Sequence, residues 1–298
     1  MSIDFTVVIP TYRRHKELVE AIASVLDQPG VTLEVLVVDD SPEESARETV
    51  ECIGDIRVNY FSNPKATGGV PSVVRNLAWP RAKGSFVHFL DDDDIVPSGH
   101  YTAVKSSFSR HSDVGLVFGR IEPFGNGPAW QMEHERRYFA EAARNASVCQ
   151  RLGPKWAFTA HMLFDRPVLV CSAGVVRREC IARVGGFDPM IRLMEDADFY
   201  ARVMREFGAY FMDTVSLRYR IGTPSLMHSP NPDEMQLRDQ RVGRRLMQAK
   251  YRRERGSVEF YALAALARTV LRGLKYRCSR TGATPCRDLD KIEARGQL

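Results

Sequence analysis

The 298-residue chain has no stretch approaching the roughly 18 consecutive apolar residues of a membrane-spanning helix. It also has no internal repeat and no low-complexity segment, which excludes fibrous and solenoid architectures. The six cysteines (Cys52, Cys149, Cys171, Cys180, Cys278 and Cys286) form no C-x-x-C pair and have no histidine at zinc-ligand spacing. A disulfide framework and a structural zinc site are thereby excluded, and reduced, mostly buried thiols are expected. No G-x-G-x-x-G follows the first apolar run, and no G-x-x-x-x-G-K-[ST] occurs anywhere. Dinucleotide redox chemistry and P-loop hydrolysis therefore lack their usual phosphate cradle. The amino terminus lacks a basic flank, and its apolar run is shorter than the roughly 7 to 15 residues of a secretory signal, so a cytoplasmic location is expected.

The charge that is present is unevenly placed. Residues 238–280 carry 13 Lys and Arg against 3 Asp and Glu, although the whole chain has a net charge of only +5. An acidic body thus precedes a basic C-terminal segment.

The first half alternates short β-branched runs with segments of helical period, the pattern of a doubly wound α/β sheet. Strands are predicted at 5–9, 33–38, 56–61, 85–90 and 114–118. Leu18, Ile22, Val25 and Leu26 share one face of a helix over 15–26, and a glycine-containing loop at 66–71 leads into a helix over 72–78. Residues 120–166 are poorly patterned apart from a helix over 134–148. A strand at 167–176, a helix at 195–207, a strand at 209–221 and a loop at 224–232 follow.

In such sheets ligands bind beyond the carboxyl ends of the strands. Three of those ends carry polar or acidic residues: Thr11 and Tyr12, Asp39 and Asp40, and the run Asp91, Asp92, Asp93 and Asp94. Four consecutive carboxylates repel one another unless a cation neutralises them, and a divalent metal such as Mn²⁺ or Mg²⁺ is the simplest one. Hard cations of this kind take one or two carboxylates from protein and their other oxygens from water and phosphate, which implies a phosphate-bearing substrate. The alternative is a solvated acidic turn capping a helix near Ser98. Arg75 is read either as a phosphate partner or as an arginine covering a helix surface.

Four motifs occur in order: Val7-Val-Ile-Pro-Thr-Tyr-Arg13, Val37-Val-Asp-Asp-Ser41, Gly84-Ser-Phe-Val-His-Phe-Leu-Asp-Asp-Asp-Asp94, and Gly185-Gly-Phe-Asp188 with Met194-Glu-Asp-Ala-Asp198. Over roughly residues 4–220 this set resembles the family 2 glycosyltransferases, nucleotide-sugar enzymes of the GT-A fold. The resemblance implies a mixed, mostly parallel sheet flanked by helices, with a catalytic domain over 1–225 and a basic helical extension over 226–298. It implies that Pro10, Thr11, Tyr12, Asp39 and Asp40 hold the nucleobase and ribose, with the Tyr12 ring on the base. Asp91, Asp92 and Asp93 match the D-x-D position, with Asp91 and Asp92 toward the nucleotide and Asp91 and Asp93 toward the metal. Glu195 and Asp196 match the E-D pair, in which the Asp is the general base of an inverting transfer.

Many relatives carry a histidine or a basic residue after the last strand that reaches the metal or diphosphate; here Arg218-Tyr-Arg-Ile-Gly222 leads to a loop containing His228. The Gln-x-x-Arg-Trp motif of processive synthases is absent, so transfer of a single sugar, from a UDP-sugar to a saccharide or lipid-linked acceptor, is the expectation.

The basic segment combines eight Lys and Arg between 238 and 255 with the apolar stripe Phe260, Leu263, Leu266, Ala267, Val270, Leu271 and Leu274, punctuated by Arg268 and Arg272. This suits an anionic membrane surface at the inner face of the membrane, or equally a helical pair packed on the acidic body. No nucleic-acid partner is expected, because the body is acidic and aromatics do not interleave the arginines. An inactive nucleotide-sugar-binding relative and a nucleic-acid binder using the tail are the rival readings. A sugar nucleotidyltransferase would open on a Gly-rich loop where this chain has Pro-Thr-Tyr.

Overall fold

A computed structural model describes residues 3–223 and 234–280, with side chains described over 3–223 and 240–269. The loop at 224–232 with His228 lies outside the described residues. So do the side chains of Arg238, Val270, Leu271, Arg272 and Leu274.

Seven strands form one mixed sheet: β1 (Phe5–Thr11), β2 (Leu33–Asp39), β3 (Val58–Ser62), β4 (Phe86–Phe89), β5 (Leu116–Gly125), β6 (Gly174–Arg177) and β7 (Ala209–Ile221). Their order is β3-β2-β1-β4-β6-β5-β7. The first four are mutually parallel, β6 runs antiparallel to both β4 and β5, and β7 is parallel to β5. Val, Ile and Leu fill β1 and β2, and β2 is buried along its whole length, as a parallel strand covered on both faces must be. Among the described residues the ten α-helices are α1 (Lys16–Leu26), α2 (Arg47–Ile53), α3 (Pro71–Ala78), α4 (His100–Arg110), α5 (Ala129–Leu152), α6 (Trp156–Phe164), α7 (Arg178–Val184), α8 (Glu195–Phe207), α9 (Glu234–Arg255) and α10 (Ser257–Arg280). Among the described residues, none is long and apolar enough to cross a membrane.

The register brings the strand ends to one rim. Thr11 lies opposite Asp39, Asp39 opposite Ser62, and Val8 opposite Phe89, so Asp91–Asp94 emerge beside Thr11. Inside the sheet a polar pair is fully matched: Thr6 Oγ1 donates to Glu34 Oε1 at 2.7 Å and accepts the Gly84 N–H at 2.8 Å. A Cβ on Gly84 would overlap backbone atoms of Phe5 and Thr6, which a packed strand cannot move. Gly84→Ala is therefore expected to destabilise the fold by about 1–3 kcal/mol, read as a lower denaturation midpoint in urea.

Two expectations are corrected. The apolar run at 167–176 is not one strand; only 174–177 pair, after a 3-10 turn over Cys171–Ala173. Side chains take the backbone acceptors there, since Tyr200 donates its hydroxyl to the Cys171 carbonyl at 2.6 Å and the His88 ring meets the Ser172 carbonyl at 2.7 Å. The unpatterned 120–166 stretch contains the outer half of β5, the 24-residue α5 and all of α6. α6 is buried from Ala157 to Leu163, and a helix apolar all round has no amphipathic period to detect.

The described residues of the expected extension form α9 and α10, which pack on the body. Arg205 pairs bidentately with Glu259, at 2.7 and 2.9 Å, and Arg244 donates to the Asp165 carbonyl at 2.7 Å. Leu263 and Ala267 of the apolar stripe are buried, and Phe260 and Leu266 are half-buried against the core. The described part of that stripe therefore faces protein.

Candidate active site

The rim above β1 and β4 is negatively charged, and burial makes the charge costly. Asp92 is pushed up to about 7 by burial, against the pull of Arg14. Burial likewise raises Asp93, and it raises Asp94 strongly.

The protein supplies its own countercharges. Arg14 Nη1 pairs with Asp92 Oδ1 at 3.1 Å and with Asp93 Oδ2. Arg75 is only 3% exposed; its Nη2 pairs with Asp91 Oδ1 at 2.7 Å and its Nη1 with Glu195 Oε1 at 2.9 Å. Arg220 on β7 donates its amide to Asp94 Oδ1 at 3.0 Å and its Nε to the Asp93 carbonyl at 2.6 Å. Hydroxyls complete the cradle, from Thr11 to Asp92 at 2.7 Å and from Thr223 to Asp93 at 3.1 Å. Ser172 Oγ accepts the Asp91 amide at 3.1 Å. His88, held neutral by burial at about 4, fixes Ser172 from below through its carbonyl.

Of the predicted nucleotide residues, Thr11 thus orients Asp92. Tyr12 is half-buried beside it with the Arg13 guanidinium 5.2 Å from its ring centre, and Pro10 lies opposite Val38, one residue before the end of β1. Asp39 and Asp40 spend their oxygens on protein donors. Asp39 accepts the amides of Ser41 and Ala46, both at 2.8 Å, and the Tyr60 hydroxyl at 3.1 Å. Asp40 accepts Asn63 Nδ2 at 2.6 Å, the Thr67 hydroxyl at 2.6 Å and the amides of Thr67 and Gly69 at 2.9 and 2.7 Å. Burial alone would raise Asp40, yet those donors hold it below the usual carboxylate range. In this structure the pair shapes the loops at 41–46 and 63–69. Arg75, expected as a phosphate partner or as an arginine covering a helix surface, is buried and bridges two acids, which removes the surface alternative.

On the far side of Arg75, α8 opens with Glu195 and Asp196 after Met194, whose φ of +76° is left-handed. Burial pushes Glu195 up to about 7, with the Asp196 charge adding and Arg75 opposing. Burial also raises Asp196. Asp196 is half-buried, and among the described residues its carboxylate accepts one hydrogen bond, at Oδ1 from the Ala197 amide at 2.7 Å. Its second oxygen is left available for a proton. Lys250 of α9 braces this helix by pairing with Asp188 at 2.8 Å and Asp198 at 3.1 Å.

Among the described residues, no cluster of three or more His, Cys, Asp and Glu side chains forms a metal cage. Asp91 and Asp93 are nonetheless hard oxygen donors. Asp91 is 36% exposed, and each pairs with arginine through one oxygen only. Two such carboxylates suit a cation that completes its shell with water and diphosphate oxygens. The residues present therefore fit Mn²⁺ or Mg²⁺.

Sequence reasoning missed Arg14, Arg220, Thr223 and Ser172. Arg14 and Arg220 each had a signal, Arg14 its place directly after the first motif and Arg220 its place in the basic run at the end of the last strand.

The glycosyl transferase family 2 model matches residues 6–168. Similar curated proteins include an uncharacterized glycosyltransferase of Haemophilus influenzae, 23% identical over 67% of this chain and 62% of that protein. Another is the GalNAc(5)-diNAcBac-PP-undecaprenol beta-1,3-glucosyltransferase of Campylobacter jejuni, 36% identical over 41% of this chain and 40% of its own length. The chain thus spans less than two thirds of these relatives. Among solved structures, S. aureus TarS 1–349 in complex with UDP-GlcNAc superposes with a TM-score of 0.61 at 16% identity, covering 99% of this chain and 77% of that one. A mannosyltransferase from Pyrobaculum calidifontis in complex with GDP-Man and Mn²⁺ gives 0.58 at 18% identity, over 97% and 79%. The fold is therefore GT-A, and on the extent of the family match the chain belongs to glycosyl transferase family 2.

Proposed function

We propose that this protein transfers a single sugar from a nucleoside-diphosphate sugar, a UDP-sugar foremost, to a hydroxyl of a saccharide or lipid-linked acceptor, with inversion at the anomeric carbon. The observation that carries the reading is the opposition of two carboxylate groups. One set at the sheet rim is held by arginines, and the other, at the start of α8, leaves an oxygen of Asp196 free. The undecaprenol-linked acceptor in the name of the Campylobacter relative and the UDP-GlcNAc bound to TarS support the choice of acceptor and donor.

In the reaction Asp196 removes the proton of the acceptor hydroxyl. The acceptor oxygen forms a bond to the anomeric carbon as the bond from that carbon to the diphosphate oxygen breaks, and the nucleoside diphosphate leaves with the electron pair. Pro10, Thr11 and Tyr12, with the loops shaped by Asp39 and Asp40, line the nucleotide end, and Asp92 is oriented there by Thr11. Asp91 and Asp93 would hold Mn²⁺ or Mg²⁺, which when bound offsets charge on the departing diphosphate. Arg14 and Arg75 hold both carboxylates in place until they do so.

Calorimetric titration with UDP, GDP and dTDP, each with Mn²⁺ and then with EDTA, tests the reading. One nucleotide is expected to bind in a metal-dependent way, and Asp93→Asn is expected to weaken that binding by about tenfold or more. Binding of none of the three would refute the nucleotide-sugar reading. Equal binding with and without metal would refute the role given to Asp93.

A further inference from the structure

Helix α9 has two chemically distinct faces. The inner face packs on the body: Met247 and Tyr251 are buried, Gln248 donates to the Leu163 carbonyl at 2.8 Å, and Gly243 lies so close to the Leu193 carbonyl that no Cβ would fit. Basic residues on that side are matched, Arg244 by the Asp165 carbonyl, Lys250 by Asp188 and Asp198, and Arg255 by Glu206.

The outer face is different. Helical spacing puts Arg241, Arg245, Arg252 and Arg253 on one exposed arc with Val242 and Leu246, each 42% exposed. The sequence from 240 to 253 holds no Asp or Glu. Arg241 and Arg245 have no ion-pair partner among the described residues, Arg252 bonds only the Ser257 hydroxyl and lies over the Tyr261 ring, and Arg253 stands 3.9 Å from Glu254. A stripe of repelling cations with half-exposed aliphatic side chains between them is what an anionic, partly apolar surface complements.

We infer that the outer face of α9 docks on an anionic phospholipid bilayer, with the arginines among headgroup phosphates and Val242 and Leu246 at the acyl boundary. Duplex nucleic acid would use the arginines but leave the two aliphatic side chains without a role, and residues 240–250 carry no aromatic to stack on a base. The geometry gives the docking a purpose. The inner face of α9 touches Leu193, two residues before Glu195, and Lys250 braces α8, so one helix ties the surface to the catalytic carboxylates. Docking of this face does not depend on the transfer reaction, since vesicle binding is measured without donor.

The full chain is expected to sediment with vesicles containing phosphatidylglycerol but not with vesicles of phosphatidylcholine alone, and to release as salt rises. At roughly fivefold in partition per arginine, R241Q/R245Q should weaken sedimentation about 30-fold while leaving nucleotide titration unchanged. V242S/L246S should also weaken it, which a purely electrostatic contact would not show. Absence of binding to anionic vesicles, or wild-type partition by the arginine variant, would overturn the inference. So would displacement by duplex DNA together with wild-type behaviour of V242S/L246S, or a stable dimer that buries this face.

Discussion

Asp196→Asn is expected to lower kcat by about 10²- to 10⁴-fold while leaving nucleotide affinity unchanged, because asparagine keeps the shape and the acceptor for the Ala197 amide but cannot take a proton. Single-turnover transfer and nucleotide titration of the same variant separate the two effects. A turnover within a few-fold of wild type would remove Asp196 from the role of base. The pH dependence follows from the same environment. A base works ionised, and burial raises Asp196 above the usual carboxylate range. The wild-type rate should therefore climb with pH through that raised ionisation and then level, and the climb should be missing from the residual activity of Asp196→Asn. Glu195, pushed up to about 7 beside it, broadens the rise, since its ionisation adds a neighbouring negative charge.

Arg75→Met should be the most destabilising change at the site, at about 3–5 kcal/mol, because it leaves Asp91 and Glu195 facing one another without their buried cation. Glu195 already titrates higher in the folded protein than the ordinary glutamate value of 4.5, so its contribution to stability is complete below that value and is lost as pH rises through about 7. Removing Arg75 withdraws the positive charge that lowers this ionisation and moves it higher still. The gap between variant and wild type should be small near pH 5 and widen toward pH 8, as read by urea denaturation at each pH. A gap that is constant across that range would mean that Arg75 acts through packing on the Phe187 ring, 5.2 Å away, rather than through charge. Lost activity is expected as well, since the same guanidinium sets the spacing between the rim and α8.

Helix α1 was legible because Leu18, Ile22 and Val25 repeat at its own period, and the structure buries those three with Ala21. The last strand was legible over its full length, Ala209–Ile221. Asp91–Asp94 could be placed at a strand end because four consecutive acids cannot continue the apolar strand that closes with buried Phe89 and Leu90, although Asp92 and Asp94 are themselves buried. The two carboxylates proposed for the reaction were both visible, Asp93 in the acidic run and Asp196 in the E-D pair. Their neutralisation was not. Arg14 stands 78 residues from Asp92, Arg75 stands 120 from Glu195, and Arg220 stands 126 from Asp94, and no spacing rule spans such intervals. The strand predicted at 167–176 failed for a related reason: its backbone acceptors are taken by Tyr200 and His88, side chains from other elements.

The sequence by itself determined the alternation of strands and helices, the acidic strand ends and the family likeness, because each is written in neighbouring residues through a period of two or 3.6 or through an ordered motif. Tertiary structure decided the antiparallel insertion of β6, the burial of α6, the turning of the described apolar stripe toward the body, and the arginines that hold the carboxylates. Each of these depends on which distant groups share a low-dielectric space, where an unmatched charge or backbone group is costly and the partner that satisfies it can come from anywhere in the chain.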